Sequence, residues 1–325
     1  MSVAFPKIAL VGSGAIGLYY GTRLALAGAE VRFLLRSDLA AVRERGITVR
    51  VGDRTLQIPP ERVGAFGSAA EIGPVDLVVV ALKTTANDQL AALLPPLLGP
   101  QTAILTLQNG LGADELLAAL FGAERILGGL CFIACNRVAP GEVVCFHPGS
   151  MTLGEFGRPA GDRVRALAAQ FEPAGVKCTV ADNFLEARWR KLVWNVPFNG
   201  LTLATGLTTD RLLADPELAA EVRALMEEVA AGARAQGLDV PEAFLQEMLD
   251  ITPALGAYKP SSLLDWLAGR EVEVEAIWGE PWRRARAAGA HTPRLALLYA
   301  RLRQQAAGAA RGGEIPKNAI GHRGP

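Results

Sequence analysis

The chain has 325 residues, which is enough for two domains that each bury a core. Its 33 Lys and Arg residues balance its 33 Asp and Glu residues, so we expect no nucleic-acid partner and no anionic membrane partner. No apolar run has membrane-spanning length, residues 1–7 lack the charged-then-apolar order of a signal peptide, and the four cysteines lack metal-ligand spacing. We therefore expect a cytoplasmic protein with reduced thiols and no metal.

The first predicted elements are a buried strand, a glycine turn and a helix. The apolar run Ile8-Ala9-Leu10-Val11 is followed at once by Gly12-Ser13-Gly14-Ala15-Ile16-Gly17. In this context the G-x-G-x-x-G pattern predicts dinucleotide binding. Gly12 permits the sharp turn, Gly14 lets the backbone approach a pyrophosphate, and Gly17 lets the helix pack closely on the strand. The phosphates would then bind free N–H groups at the N-terminus of the helix.

The second predicted strand, Glu30 to Leu35, ends in Arg36-Ser37. An NAD-binding domain usually has an acidic residue at this position, which binds the ribose 2′-hydroxyl. A guanidinium and a hydroxyl suit a 2′-phosphate instead, so we predict NADP(H) as the cofactor. The alternative interpretation is that Arg36 is an ordinary surface cation.

The rest of the first half alternates short apolar strands with helices and turns, which is typical of a mostly parallel sheet. Lys83 and Asn109 follow two of these strands, where open α/β sheets bind ligands, so both are candidate cofactor-binding residues. The predicted strands after the second are a hairpin around Gly52-Asp53, the runs Val75 to Leu82 and Thr102 to Leu107, antiparallel strands between Ile126 and Phe156 around Pro140-Gly141, and a strand near Lys177.

From about Asn183 the sequence shows helical spacing and no convincing strand. One predicted helix begins at Asp215-Pro216-Glu217, and another spans Val272 to Ala288. We therefore predict an α/β, Rossmann-like N-terminal domain over 1–182, an all-α domain over 183–311, and a disordered tail over 312–325. The cleft between the two domains is the expected active site.

Three polar residues near the start of the helical domain share a regular spacing. Lys191, Asn195 and Asn199 stand at i, i+4 and i+8, so a helix would place them on one face among large apolar residues. An ammonium and two amides in an apolar wall suit a small polar anion. Taken alone, Lys191, like Glu273 further along, fits a solvated helix charge.

These residues carry a family resemblance that runs from Ile8 to about Arg303. The chain resembles the ketopantoate reductase (2-dehydropantoate 2-reductase) family. The resemblance implies NADPH-dependent reduction of a small 2-oxo acid, with 2-dehydropantoate reduced to pantoate in pantothenate biosynthesis as the expected reaction. The matching motifs are the glycine turn with Arg36, Leu82-Lys83-Thr84, Gln108-Asn109-Gly110, Trp189-Arg190-Lys191-Leu192 with Asn195 and Asn199, Lys259-Pro260-Ser261 with Asp265, and Glu273-Val274-Glu275.

The resemblance also implies a role for each matching residue. Lys191 corresponds to the general acid that protonates the carbonyl oxygen, and Glu273 to the carboxylate that orients Lys191 and the substrate hydroxyl. The implied substrate-binding residues are Asn195, Asn199, Ser261, which corresponds to the residue that holds the substrate carboxylate, and Asp265, which lies near the site.

The chain departs from the family pattern at two positions. Gly200 follows Asn199 where the family usually has proline, and Pro197 lies between the two asparagines. A kink at Pro197 would rotate Asn199 relative to Lys191, so other branched or bulky 2-oxo acids remain open as substrates.

Two alternatives to ketopantoate reduction stay open. One is a related two-domain dehydrogenase acting on another 2-oxo or hydroxy acid, and the other is a non-catalytic NADP-binding regulator. The apolar surface expected for the helical domain also favours a homodimer.

Overall fold

The computed structural model describes residues 4–310, so the predicted tail over 312–325 lies outside the described residues. The chain divides into two compact units, the first ending at Ala187 and the second beginning at Arg188. Within the described range, no helix has both the length and the apolar character needed to cross a membrane.

The first unit is built on one ten-stranded sheet with helices between the strands. Its strands are β1 (Lys7–Val11), β2 (Glu30–Leu34), β3 (Ile47–Val51), β4 (Arg54–Ile58), β5 (Gly64–Phe66), β6 (Val75–Val80), β7 (Leu98–Thr106), β8 (Ile126–Ala139), β9 (Glu142–Glu155) and β10 (Lys177–Ala181). Its helices are α1 (Ala15–Leu26), α2 (Leu39–Arg45), α3 (Ala69–Ile72), α4 (Leu90–Leu93), α5 (Ala113–Phe121) and α6 (Asp162–Phe171).

Six neighbouring strands of this sheet run parallel, in the spatial order β5-β2-β1-β6-β7-β8. This is the doubly wound order of dinucleotide-binding domains. The chain moves outward from β1 to β2, leaves these strands to form the β3–β4 hairpin beside β9, and returns to add β5 next to β2. It then adds β6 on the other side of β1. The switch between the two halves of the sheet therefore lies between β1 and β6, where ligands bind in open α/β sheets.

Alternating side chains of the central strands bury both faces of the sheet. Ile8 and Leu10 of β1 are fully buried in the core that contains residues of α1 and α6. Ala9 and Val11, which point to the opposite face, are fully buried in a second core with residues of α3, α4 and α5. Burial on both faces explains why these strands read as continuous apolar runs in the sequence.

Two antiparallel hairpins extend the sheet on one side. β3 pairs with β4, and the long strands β8 and β9 pair around the predicted turn at Pro140-Gly141. β9 also pairs in parallel with β3 and with β10. Both hairpins confirm the sequence predictions.

The second unit is helical throughout its described part. Its helices are α7 (Phe184–Thr205), which starts in the first unit, α8 (Thr209–Ala214), α9 (Pro216–Arg234), α10 (Glu242–Ile251), α11 (Ser261–Leu267), α12 (Glu280–Ala287) and α13 (Pro293–Ala310). Asp215 caps α9 as predicted, because its carboxylate accepts hydrogen bonds from the amides of Glu217 and Leu218. The predicted α/β fold with a Rossmann-like N-terminal domain and an all-α C-terminal domain is confirmed.

One predicted helix differs from the structure. The segment expected to be helical from Val272 begins its helical turns only at Val274. A π-helical turn over Glu275–Gly279 then leads into α12. Hydrophobic spacing does not distinguish a π turn from an α turn, and single π turns occur frequently at functional sites.

Candidate functional site

The glycine turn after β1 lies at the switch between the two halves of the sheet. Gly12 has φ +107°, and a Cβ there would lie 2.3 Å from the amide nitrogen of Leu82, just beyond β6. A Cβ at Gly17 would lie 2.0 Å from the carbonyl oxygen of Gly12. Both positions therefore need glycine for close backbone packing. Gly14 differs, because it is exposed and a Cβ there would have no atom within 4 Å.

The start of α1 has the chemistry of an anion site. The first hydrogen bond of the helix runs from the amide of Leu18 to the carbonyl of Gly14, so the amides of Ala15, Ile16 and Gly17 have no partner within the helix. The first turn carries no acidic residue and no side-chain cap. Open space at Gly14 beside these amides fits the pyrophosphate of a dinucleotide.

Ser13 fastens this turn to the neighbouring strand. Its hydroxyl donates a hydrogen bond of 2.9 Å to the carbonyl oxygen of Leu34, the last residue of β2. The glycine turn and the end of β2, which leads into Arg36, are therefore held side by side.

The segment after β2 carries an exposed cation, Arg36, and a buried carboxylate, Asp38. Arg36 and Ser37 are exposed, whereas Asp38 is buried. The two carboxylate oxygens of Asp38 accept hydrogen bonds from Arg137 at 2.7 and 2.8 Å. Ser37 and the amide of Gly141 also donate to Asp38. Asp38, the carboxylate nearest to Arg36 in the sequence, therefore binds residues of the β8–β9 hairpin. The sequence analysis did not predict this interaction.

Lys83 and Asn109 follow β6 and β7, and both are half-buried. Their loops are joined by Gln108, whose amide nitrogen donates to Asn87 Oδ1 at 2.7 Å. Gln108 is itself buried, and its Oε1 accepts a hydrogen bond from Thr106. The carboxyl ends of β1, β6 and β7 therefore bring the glycine turn, Lys83 and Asn109 to one edge of the sheet.

In the helical unit, α7 carries Lys191, Asn195 and Asn199 on one face. The helix runs unbroken from Phe184 to Thr205 with Pro197 inside it, so the predicted i, i+4, i+8 alignment is retained. Lys191 and Asn199 are buried, with exposures of 9% and 3%, and Asn195 is half-buried.

The Asn199 side chain holds the start of α11. Its Oδ1 accepts a hydrogen bond of 3.2 Å from the amide of Ser262. Ser261 is exposed at this end of α11, whereas Ser262 is buried. Asp265, further along the helix, is buried and accepts a hydrogen bond of 3.0 Å from Arg270. Asn199 therefore positions α11, which the sequence analysis did not foresee.

Glu273 lies next to a segment that is fastened to α7. It is buried, with an exposure of 9%, and its carbonyl accepts a hydrogen bond from the amide of Ile277 in the π turn. Trp278 in the same turn donates its indole N–H to the carbonyl of Val196 in α7 at 2.9 Å. A Cβ at Gly200 would lie 2.8 Å from that indole nitrogen and 2.7 Å from Leu298 Cδ2, so this position has little room for the proline usual in the family.

The two glutamates of the Glu273-Val274-Glu275 motif have different surroundings. Glu275 is exposed and accepts hydrogen bonds from Arg283 at 2.8 Å and from Tyr299 at 2.7 Å. Burial opposes ionisation of Glu275, but these two hydrogen bonds, together with the positive charges of Arg283 and Arg303, hold the pKa of the carboxyl below its usual value. Glu275 therefore braces the π turn, and Glu273 is the buried carboxylate of the motif.

These arrangements define a class of protein. A doubly wound sheet with a glycine turn at its switch point, followed by a helical unit with a buried lysine and a buried glutamate, is the plan of a two-unit nicotinamide-dependent oxidoreductase. Between residues 4 and 310 no three His, Cys, Asp or Glu side chains group as metal ligands.

Comparison with known proteins identifies the family. Residues 8–158 match the family described as ketopantoate reductase PanE/ApbA, and residues 183–306 match its C-terminal domain. A 2-dehydropantoate 2-reductase from a Nostoc species is 39% identical over 91% of this chain and 94% of its own. A crystal structure of 2-dehydropantoate 2-reductase from Geobacter metallireducens has a TM-score of 0.89 and 44% identity, covering 92% of this chain and 99% of that chain. The chain belongs to the ketopantoate reductase family and is an oxidoreductase, which confirms the resemblance.

A more distant solved structure has the same fold. A ternary structure of D-mandelate dehydrogenase with NADH and anilino(oxo)acetate has a TM-score of 0.84, at 22% identity, and covers 94% of this chain and 99% of that chain. This likeness concerns the fold alone.

The two glycines Gly14 and Gly17 allow binding and folding to be tested separately. Gly14→Ala should leave the melting temperature nearly unchanged, because φ −78° suits alanine and its Cβ meets no atom, but it should weaken the binding of a nicotinamide dinucleotide about tenfold or more by crowding the pyrophosphate. Gly17→Ala should lower the melting temperature by several degrees. Thermal unfolding measures the first effect and fluorescence titration the second. Unaltered dinucleotide affinity in Gly14→Ala would contradict a pyrophosphate site at the start of α1.

Proposed function

We propose that this protein reduces 2-dehydropantoate to pantoate with NADPH. The observation that carries the proposal is the face of α7, where the buried ammonium of Lys191 shares a helical face with Asn195 and Asn199. Buried Lys side chains are uncommon unless they are paired or functional. Family membership supplies the reaction class, and the relatives named 2-dehydropantoate 2-reductase supply the substrate.

Lys191 is the proposed proton donor. When bound, the nicotinamide supplies a hydride to the carbonyl carbon of the 2-oxo acid. Lys191 donates a proton to the carbonyl oxygen as negative charge develops there, and its burial keeps that interaction strong by excluding water. Glu273, which is also buried, is the group that we propose to orient the ammonium.

The proposed substrate contacts come from α7 and α11. Asn195 is half-buried and presents an amide beside Lys191 on the helix face. Ser261, exposed at the start of α11, is proposed to hold the substrate carboxylate. For Asn199 and Asp265, whose oxygens bond to Ser262 and Arg270, we propose that their main contribution is to position α11.

NADP(H) rather than NAD(H) is the proposed cofactor. The glycine turn with Ser13, Ala15 and Ile16 would bind the pyrophosphate, and Lys83 and Asn109 would line the same edge of the sheet. Arg36 is exposed beside the end of β2, and the adjacent carboxylate of Asp38 is occupied by Arg137. This arrangement offers a guanidinium to a ribose 2′-phosphate, whereas the carboxylate of Asp38, which could otherwise accept from a 2′-hydroxyl, is already bound by Arg137.

We also propose a cytoplasmic location and a homodimer. All four cysteines are free thiols in the structure, as expected in a reducing compartment. Large apolar side chains on the surface of the helical unit, such as Leu297 with 73% exposure and Ile251 with 51%, favour coverage by a second copy.

A substrate panel tests the function directly. We expect kcat/KM with NADPH to be at least about tenfold higher for 2-dehydropantoate than for pyruvate, because the branched substituent adds apolar contacts. The measurement follows the loss of NADPH absorbance. Equal values for the two substrates would instead support a related dehydrogenase of another 2-oxo acid, and tight NADPH binding with no turnover would support a regulator.

The role of Lys191 predicts a selective loss of catalysis. Lys191→Ala should reduce turnover at least about a hundredfold, as expected for the loss of a positioned acid, and leave NADPH affinity nearly unchanged. Steady-state kinetics and fluorescence titration measure the two effects. The exposed Lys177 provides the matched control, Lys177→Ala, which should behave as the wild type. Unimpaired turnover in Lys191→Ala would remove Lys191 from the mechanism.

The role of Arg36 predicts a selective loss of phosphate recognition. Arg36→Ala should weaken NADPH binding roughly tenfold to a hundredfold through the loss of charge-assisted hydrogen bonds, and it should leave NADH binding almost unaltered. Titration with each nucleotide makes the comparison. The control is Arg45→Ala, since Arg45 is an exposed arginine on α2. Equal losses for the two nucleotides in Arg36→Ala would contradict recognition of a 2′-phosphate.

A further inference from the structure

The face of α7 that carries Lys191 also carries two aromatic residues. Trp194 and Phe198 stand at i+3 and i+7 from Lys191, and Asn195 and Asn199 stand at i+4 and i+8, so all five residues lie on neighbouring rows of one helix face. Lys191, Phe198 and Asn199 are buried, whereas Trp194 and Asn195 are half-buried. Trp194 and Asn195 are therefore the members of this face that keep the most surface open.

The indole of Trp194 is held in one orientation. Its Nε1–H donates a hydrogen bond of 2.9 Å to Thr252 Oγ1, and Thr252 is buried and donates in turn to the carbonyl of Met248 at 2.6 Å. The indole stacks on Phe198 with a centroid distance of 4.8 Å and an interplanar angle of 27°. The ring of Tyr258 lies 6.3 Å away at a tilt of 49°. A half-open indole fixed on three sides is a rigid apolar surface.

Trp194 differs in burial from two other tryptophans of the helical unit, which lie in the core. Trp189 and Trp278 are fully buried, and Gly232 and Gly200 make room for them. Trp194 is instead anchored at its N–H and left partly open, beside the two polar groups that would bind the oxo-acid function. This combination is typical of a binding-site wall, in which a few polar groups orient the ligand and an aromatic surface receives its apolar part.

We propose that Trp194, held by Thr252 and Phe198, forms the wall that receives the branched substituent of the 2-oxo acid and sets the size of substrate that is reduced. This inference rests on the proposed function, because it takes Lys191 and Asn195 as the groups that bind the oxo acid. In 2-dehydropantoate the carbon next to the carbonyl carries two methyl groups and a hydroxymethyl group, whereas pyruvate has a single methyl in place of the whole substituent. A wall that contacts the extra methyl groups discriminates roughly tenfold or more for each of them.

The test compares kcat/KM, with NADPH, for 2-dehydropantoate, pyruvate and the bulkier phenylglyoxylate in the wild type and in Trp194 variants. Trp194→Ala should lower the ratio of 2-dehydropantoate to pyruvate about tenfold or more, because the lost contacts matter only for the branched acid. The same change should raise the ratio of phenylglyoxylate to 2-dehydropantoate, because the space vacated by the indole admits a phenyl ring.

Two further variants distinguish a role of Trp194 in substrate selection from a role in packing alone. Trp194→Phe keeps an aromatic ring and should fold even if the alanine variant does not. It should change both ratios in the same directions, by about threefold. Trp282→Ala is the matched control, because Trp282 is a half-buried tryptophan of the same unit that lies 5.6 Å from the ring of Tyr299. It should leave both ratios unchanged.

The outcomes distinguish this inference from the proposed function. In one outcome the wild type is active, and folded Trp194→Ala or Trp194→Phe has unchanged ratios or an equal loss of all three activities. That result overturns the proposed role of Trp194 and leaves the proposed function unaffected. A wild type that prefers another 2-oxo acid overturns the proposed substrate, while altered size selection in the Trp194 variants would still support the wall. A wild type without activity on any 2-oxo acid overturns both.

Discussion

The helical unit depends on two hydrogen bonds that fasten separate segments to α7. Asn199 accepts the amide of Ser262 at the start of α11, and the carbonyl of Val196 accepts the indole N–H of Trp278 in the π turn. Both bonds are buried, so losing either would leave a polar group without a partner away from water. One long helix thus supplies Lys191 and also fixes the segments that carry Ser261, Asp265 and Glu273.

The nucleotide-binding unit relies on a different constraint, the close approach of backbone to backbone. The turn at Gly12 passes so near the chain after β6 that no side chain fits, and α1 lies so close to the same turn that Gly17 has no room either. This packing leaves the first amides of α1 beside the open position of Gly14. The packing of the backbone around Gly12 and Gly17 therefore shapes the turn.

Local chemistry explains which features could be predicted from the sequence. The glycine turn, the cap at Asp215 and the hairpin turn at Pro140-Gly141 each depend on residues within a few positions of one another, so the sequence pattern was sufficient. The pairing of Asp38 with Arg137 was not predictable, since 99 positions separate them. The contact between Asn199 and Ser262 was not predictable either, because 63 positions separate the two residues. The π turn after Glu273 was missed because its hydrophobic spacing resembles that of an α-helix.

Close packing at Gly200 limits which amino-acid substitutions this position and its neighbours can accept. A side chain at that position would collide both with the indole of Trp278 and with Leu298. A variant with the proline usual in the family would need more room beside both Trp278 and Leu298, and a smaller residue at 278 would also remove the hydrogen bond to α7. Positions 200, 278 and 298 are therefore expected to vary together among its relatives, so a larger residue at 200 should accompany smaller residues at the other two positions.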